Sequence, residues 1–421
     1  MDKKYTLWCK LIALILALVV LLPILVACGG GEEEAAPTTT TATSTLTATP
    51  TMTPTATPIV TPTPTTTAGP VKLGAINPWS GPEAMSGLAF ADPCIKLVEQ
   101  QVKDQGGILG GRDVKVIKYD NRSSVAEGQA GVKKLVEGDK VSALLFGGTN
   151  SAQQMAVADA AEQYKILFCA NTLPPPPAYN GKFGISSGPA RYEIAKVILY
   201  SAINVEKAKT VAFLSSDLED SRSRIADMKP GLSAAGVKVV YEDQAPVNTM
   251  DYSPYLTKIK YEKPDYLYLD FAFSEGYITV AKQIMELGGW GDIKVGGLPS
   301  AESATKQPGG DGWYLALFWF PGSTYPGSVK FETGLKAILG RTPSASHVYF
   351  YMGIWTAIHA IELAGTDTDR VAIAQAARSG KLAWETPAGL AHWNRPDHFS
   401  DLGYQLARAE GGKLVPVPVT E

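Results

Sequence analysis

Beyond residue 70 the chain alternates short apolar runs with longer stretches of helical periodicity. The runs 71–77, 114–119, 141–146 and 166–169 read as strands, and the stretches 84–104, 125–137 and 152–164 between them as helices. Strand, helix, strand in strict succession predicts a parallel sheet with helices on both faces, where ligands lie beyond the carboxyl ends of the strands. Three loops are thereby brought together: 77–86, 147–151, and 170–172 ahead of Pro174-Pro175-Pro176-Pro177. A second series follows, with strands at 210–214, 237–241, 266–269 and 293–296 and helices at 194–203, 225–235, 255–261 and 277–287. Its strand-end loops are 215–222, 270–275 and 297–301. Past the apolar run 313–318, helices at 329–339, 348–364 and 371–379 are expected to return to the first lobe, and strands near 404–408 and 414–417 to the second. The fold class is α/β, two doubly wound parallel-sheet lobes. They comprise 71–189 with 321–384, and 190–320 with 385–421, joined by a multi-strand hinge suited to closing on a ligand.

The turn Phe146-Gly147-Gly148-Thr149-Asn150-Ser151 joins a buried strand to a helix start. The first N–H groups of a helix lack partners and carry partial positive charge, so a carboxylate or phosphate fits there without a basic side chain. Ser151 adds a hydroxyl. The alternative is purely local: Ser151 with Gln154 three residues on forms a capping box.

The N-terminus has a different pattern. Asp2-Lys3-Lys4 precedes an apolar stretch over 11–26, and Ala27 stands before Cys28, the layout of a secretory signal peptide. Leu25-Val26-Ala27-Cys28 resembles a bacterial lipobox, which implies a signal peptide over 1–28 and lipidation of Cys28. The alternative, an uncleaved membrane anchor, is opposed by Pro23 within the run and by the polar tract right after Cys28. Residues 29–70 are rich in Thr and Pro, with too little apolar surface to offset backbone ordering, and read as a disordered linker. At about 3 Å per residue it reaches on the order of 100 Å, a stalk open to O-glycosylation. Cys94 and Cys169 remain in the folded part, either as a disulfide or as two buried thiols.

Charge narrows the function. The formal net charge is −3, with Lys and Arg dispersed among acids of similar number, which argues against a nucleic-acid partner. The run Gly106-Gly107-Ile108-Leu109-Gly110-Gly111 follows a helix and precedes a strand, the reverse of a dinucleotide fingerprint. There is no P-loop, no Gly-x-Ser-x-Gly elbow and no paired-Cys spacing, and the four His form no ligand motif. No enzyme, cofactor or metal site is therefore expected.

Segment 71–82, a strand followed by Ser80-Gly81-Pro82, together with Gly107-Ile108-Leu109-Gly110-Gly111-Arg112 and Lys118-Tyr119-Asp120-Asn121, resembles the type I periplasmic binding proteins of branched-chain amino acid importers, the leucine/isoleucine/valine-binding family. Segment 351–365 is similar to that family's late helix, and the resemblance spans 71–421. It implies that Ser151, with Asn150 in the same turn, and Ala170 and Thr172 hold a ligand carboxylate, and that Trp79 and Ser86 line the first-lobe wall. In the second lobe Ser221 stands where the family has an aromatic residue, and the acid that pairs with the ligand ammonium is absent at 297–299. Either Glu275 or Glu302 substitutes for it, or the ligand lacks an α-amino group and presents an apolar or aromatic body to Trp79, Phe273 and Tyr349. For these three aromatics core packing is the alternative role. The implied function is an extracytoplasmic, lipid-anchored, monomeric substrate-binding protein that binds an amino acid or related small carboxylate and partners an ABC permease. A sensory ligand-binding module and an exported hydrolase are the alternatives.

Overall fold

The computed structural model describes residues 69–174, 178–190, 192–271 and 273–419, so Cys28 with the expected signal peptide, and nearly all of the 29–70 tract, lie outside it. Strands β1 (Val71–Asn77), β2 (Val114–Asp120), β3 (Ala143–Phe146), β4 (Phe168–Ala170) and β5 (Gly184–Ser186) form a parallel sheet in the order β2-β1-β3-β4-β5. These strands read as unbroken apolar runs because both faces are covered. Leu73, Ala75 and Leu145 enter one core cluster, and Ile76, Leu144 and Phe168 the other. The helices between them are α1 (Asp92–Asp104), α2 (Val125–Lys133) and α3 (Ser151–Tyr164). Ahead of α1 the expected helix is a wide π-helical turn, Ser86–Ala91. Pro93 has no N–H to give to the carbonyl four residues back, so the ladder there cannot keep its regular spacing. Strand β5, only three residues long, leaves no alternation to read and was not foreseen.

The second lobe repeats the plan with α4 (Tyr192–Tyr200), α5 (Glu219–Ala234), α6 (Ser253–Glu262) and α7 (Ser274–Glu286). Its strands are β6 (Thr210–Ser216), β7 (Lys238–Ala245), β8 (Tyr266–Asp270), β9 (Lys294–Gly297) and β10 (Tyr314–Leu317). Then come α8 (Pro326–Leu339), α9 (Ala345–Ala364), α10 (Arg370–Ala377) and a hairpin of β11 (Ala383–Thr386) and β12 (Gly389–His392). Finally β13 (Gln405–Glu410) and β14 (Lys413–Val417) add antiparallel to β10, giving the order β14-β13-β10-β9-β8-β6-β7. In both sheets the strand order reverses beside the first strand, so each lobe has its own crevice at the carboxyl ends of its strands.

Helix α9 is apolar around almost its whole circumference because it is buried on almost every side, against β3, β4 and α1. Among the described residues no helix is long and apolar enough to cross a membrane. Cys94 and Cys169 are both free and buried, so the disulfide is ruled out in favour of two thiols. The chain passes between the lobes after β5, from residue 187, and at 318–325 and 393–404, and aromatic packing binds these crossings. The Tyr349 and Tyr404 hydroxyls lie 2.6 Å apart, and the Phe318 ring is 4.6 Å from that of Tyr349 and 5.8 Å from that of Tyr404. A Cβ on Gly188 would fall 2.9 Å from the Tyr349 ring, so only glycine fits on the first crossing. Tyr349 is thus a hinge residue, the packing role.

His347, in the first turn of α9, is wholly buried and accepts the Ser344 N–H through Nδ1 at 3.1 Å. Burial, with the Arg341 charge adding to it, lowers its pKa to about 4. The unfolded imidazole titrates near 6.5, so between about pH 6.5 and 4 the unfolded chain binds more protons, and stability present at pH 7 is lost as pH falls through that window. His359 and His398 shift the same way. The melting temperature is expected to drop between pH 7 and pH 5, and His347→Gln should make that drop shallower in a calorimetric pH series.

Candidate ligand-binding cleft

Register brings the first-lobe strand ends level: Asn77 pairs with Asp120, Ile76 with Phe146, Phe146 with Ala170, and Ala170 with Ser186. After β3 the backbone turns through three consecutive positive φ values, Phe146 (74°), Gly147 (82°) and Gly148 (111°). Glycine is needed at the second, where a Cβ would meet the Phe168 ring at 2.4 Å. The turn delivers Asn150 in extended conformation, φ −128° and ψ 164°, the geometry of an N-cap.

The capping box of Ser151 with Gln154 is therefore corrected by one residue. Asn150 caps α3, its side-chain oxygen accepting the Gln153 N–H at 3.1 Å. Gln153 folds back to accept the Thr149 N–H at 3.1 Å and to donate to Glu83 at 2.7 Å. Asn150 also donates to Glu83, at 3.3 Å, so this amide braces the turn. Ser151 becomes the first helical residue, and neither its N–H nor its hydroxyl takes part in the cap. Around it, the side chains of Thr149, Gln154, Asn171 and Thr172 each keep a buried polar atom without a hydrogen-bond partner among the described residues. The Gln154 side-chain oxygen accepts the Thr172 N–H at 2.9 Å, which ties the two loops into one patch. Buried unpartnered polar atoms cost about 1–3 kcal/mol each, so four in one place mark a surface built for a polar ligand.

Other first-lobe residues fall around this patch. Ser86 reaches the strand end, accepting from the Asn77 side chain at 3.0 Å. Trp79 turns its indole N–H to Asp92 at 2.7 Å, and the Lys118 ammonium lies 5.4 Å from its ring, so its polar edge faces α1. Ala170 is buried, and its carbonyl accepts both the N–H and the hydroxyl of Ser187.

In the second lobe α5 begins at Glu219, well before the expected 225, so Ser221 lies in its first turn and is fully buried. Its hydroxyl donates to Asp270 at 2.8 Å. Asp270, at the end of β8, also receives two bonds of 2.7 Å from Arg224 and one of 2.8 Å from the Tyr268 hydroxyl. Burial alone would raise its pKa; the Arg224 charge and these donors outweigh burial and hold it below the ordinary range. Glu302 is buried, its pKa raised by burial, and accepts the Ala345 N–H at 3.1 Å, which places it at the base of α9. Glu275 is exposed in the first turn of α7, and Phe273 is the half-buried residue preceding that helix. An acid from the 215–222 strand-end loop of the sequence reading reaches the first lobe: Asp220 accepts the Ser151 N–H at 3.4 Å. Its spacing of four from Arg224, on one helical face, was the available signal.

The model of the family described as periplasmic binding protein matches residues 70–413. This chain belongs to the periplasmic binding protein family. Members are extracytoplasmic solute-binding proteins that work with ABC permeases, and the fold is the type I form. A Leu/Ile/Val-binding protein, BraC3, of Rhizobium johnstonii is 25% identical over 361 residues, covering 82% of this chain and 93% of that one. The leucine-binding protein LivK of Thermotoga maritima superposes with a TM-score of 0.72 at 19% identity, covering 83% of this chain and 99% of its own. A solute-binding protein of an ABC transporter from R. palustris, in complex with benzoate, has a TM-score of 0.72 at 19% identity, covering 83% and 96%.

Within this periplasmic binding protein the described residues hold no group of three or more His, Cys, Asp or Glu side chains that could bind a metal. A shallow groove of about 620 Å³ lies between α1 and α8, lined by exposed Lys96, Gln100 and Thr333, away from the strand-end loops. The buried charges of the cleft belong to the Arg224–Asp270 pair. Replacing Asp270 by Asn leaves a guanidinium unpaired there and should cost about 3–5 kcal/mol, read as a lowered midpoint in urea unfolding.

Proposed function

We propose that this chain is the substrate-binding component of an ABC importer that closes its lobes on an amino acid or related small carboxylate. The observation that carries it is the patch at the start of α3, where the Ser151 N–H and four side chains that each keep one unpartnered polar atom lie at the level ends of β3 and β4. A carboxylate seated there meets the positive end of the helix and can accept from the Thr149 and Thr172 hydroxyls and the Gln154 amide nitrogen, while the Asn171 oxygen is free to accept from another group of the ligand. Ser151 and Thr172 supply hydroxyls to it, with Ala170 and Ser86 shaping the wall and Trp79 at its rim. Relatives named for leucine, isoleucine and valine, and a structural neighbour holding benzoate, support the carboxylate class. Lipidated Cys28 and the 29–70 stalk hold the monomer outside the cell membrane, where it presents its closed form to the permease. The role is binding without turnover, since the buried Arg224 and Asp270 neutralise one another.

Ligand-free protein screened against amino acids and aromatic acids should show a rise in melting temperature with at least one of them. Ser151→Ala and Thr172→Ala are each expected to weaken that ligand by roughly 1–3 kcal/mol in calorimetric titration. Unchanged affinity in both, with melting temperatures intact, would falsify the assignment of this patch.

A further inference from the structure

Glu302 is a buried carboxylate to which the patch at the start of α3 gives no role, and it makes no ion pair among the described residues. It stands on the short 3₁₀ helix Pro299–Lys306, which joins β9 to β10 and packs on α7 and β10, so it belongs to the second lobe. The N–H it accepts, that of Ala345 at 3.1 Å, is the first of α9, and α9 packs on β3 and β4 of the first lobe. The bond therefore ties the lobes through space, apart from the three crossings of the chain.

Helix geometry gives this tie its force. The N–H of a first helical residue has no acceptor within its own helix, and the start of α9 is closed to water, with Ala345 1% exposed and His347 and Val348 wholly buried. His347 serves the Ser344 N–H, which leaves the Ala345 N–H to an acceptor from outside the helix. Glu302 is that acceptor, and it lies at the positive end of the helix dipole. The Asp220–Ser151 contact also joins the lobes, but it uses a group of the ligand patch and yields to a solute seated there. Glu302 and Ala345 are no part of that patch, so their bond stays in place when a solute enters. We propose that Glu302 latches the lobes by capping α9 from the second lobe, so that the closed arrangement is populated before a solute arrives. The latch sets where the open–closed equilibrium starts, and the solute supplies the shift.

The test is pulsed electron spin resonance on the ligand-free full-length chain in detergent, with Cys9→Ser and Cys28→Ser. Spin labels are attached through Val125→Cys on the first lobe and Met250→Cys on the second, both exposed positions, while Cys94 and Cys169 are buried and take no label. With Glu302 intact, a population of short interlobe distances is expected, which Glu302→Ala shifts to longer ones. Glu302→Gln should keep the short distances, because it retains an acceptor and burial works against the charge. Ala345→Pro removes the donor at a position where a helix accepts proline, and Ser344, at φ −104° and ψ 167°, already has the backbone that a following proline requires. It should lengthen the distances as Glu302→Ala does, and the two together should add nothing further. If Glu302→Ala does not fold, Ala345→Pro carries the same decision. Unchanged distances in these variants with melting temperatures intact, or as large a shift in Glu302→Gln as in Glu302→Ala, overturns the latch. No solute is added, so either result leaves the carboxylate reading of the α3 patch where it stands.

Discussion

The cleft depends on which residue caps helix α3. Three residues at positive φ deliver Asn150 to the cap position, so Ser151 enters the helix with its N–H outside the cap and directed across to Asp220 at 3.4 Å. Had Ser151 been the cap, its hydroxyl would have served the backbone and the patch would have lost a donor. The strain of Phe146 at φ 74° is supported by its edge-on contact with Phe350 on α9, at 4.9 Å. The buried late helix thereby fixes the conformation of the strand end on which the site stands.

Across the cleft the electrostatics are arranged differently. Arg224 and Asp270 cancel in a site shielded from water, where an unpaired charge would be costly, and Ser221 and Tyr268 complete the carboxylate's bonding. With that pair neutralised, what the second lobe presents directly to Ser151 is Asp220 at the positive end of α5. One carboxylate then lies between two helix N-termini, those of α5 and α3. Each dipole favours a negative charge in the gap, which gives the lobes a weak attraction before any solute arrives.

Much of this plan was legible from periodicity. Strand runs buried on both faces, separated by amphipathic stretches, gave the parallel sheets and the loops that meet at their carboxyl ends. The cap register was not, because Asn150–Gln153 and Ser151–Gln154 satisfy the same spacing rule and only backbone dihedrals separate them. The first turn of α5 was read as loop because Glu219-Asp220-Ser221-Arg222 has no apolar residue to set a helical phase, although Ser221 is buried by its bond to Asp270. Strand β5 and the β11–β12 hairpin are too short for a pattern. Trp79 was placed by a strand-end argument that fixes the backbone and says nothing of where the indole turns.

Closure has to be absorbed at the three crossings, and their packing limits how. Trp393 donates to the Ser186 carbonyl at 2.8 Å, and Arg395, Asp397 and Tyr192 hydrogen-bond one another, so the first and third crossings are tied together at both ends. The Asp397 pKa stays near 2 because, although burial opposes it, the Arg395 and Tyr192 donors favour the charged form. Such a brace resists shearing of one crossing past another but leaves a common rotation available. A ligand shifts such an equilibrium only by binding the closed arrangement better than the open one. A solute held by α3 alone contacts one lobe in either state and has little leverage on it. The energy of closure therefore has to come from whatever the solute offers to the second lobe.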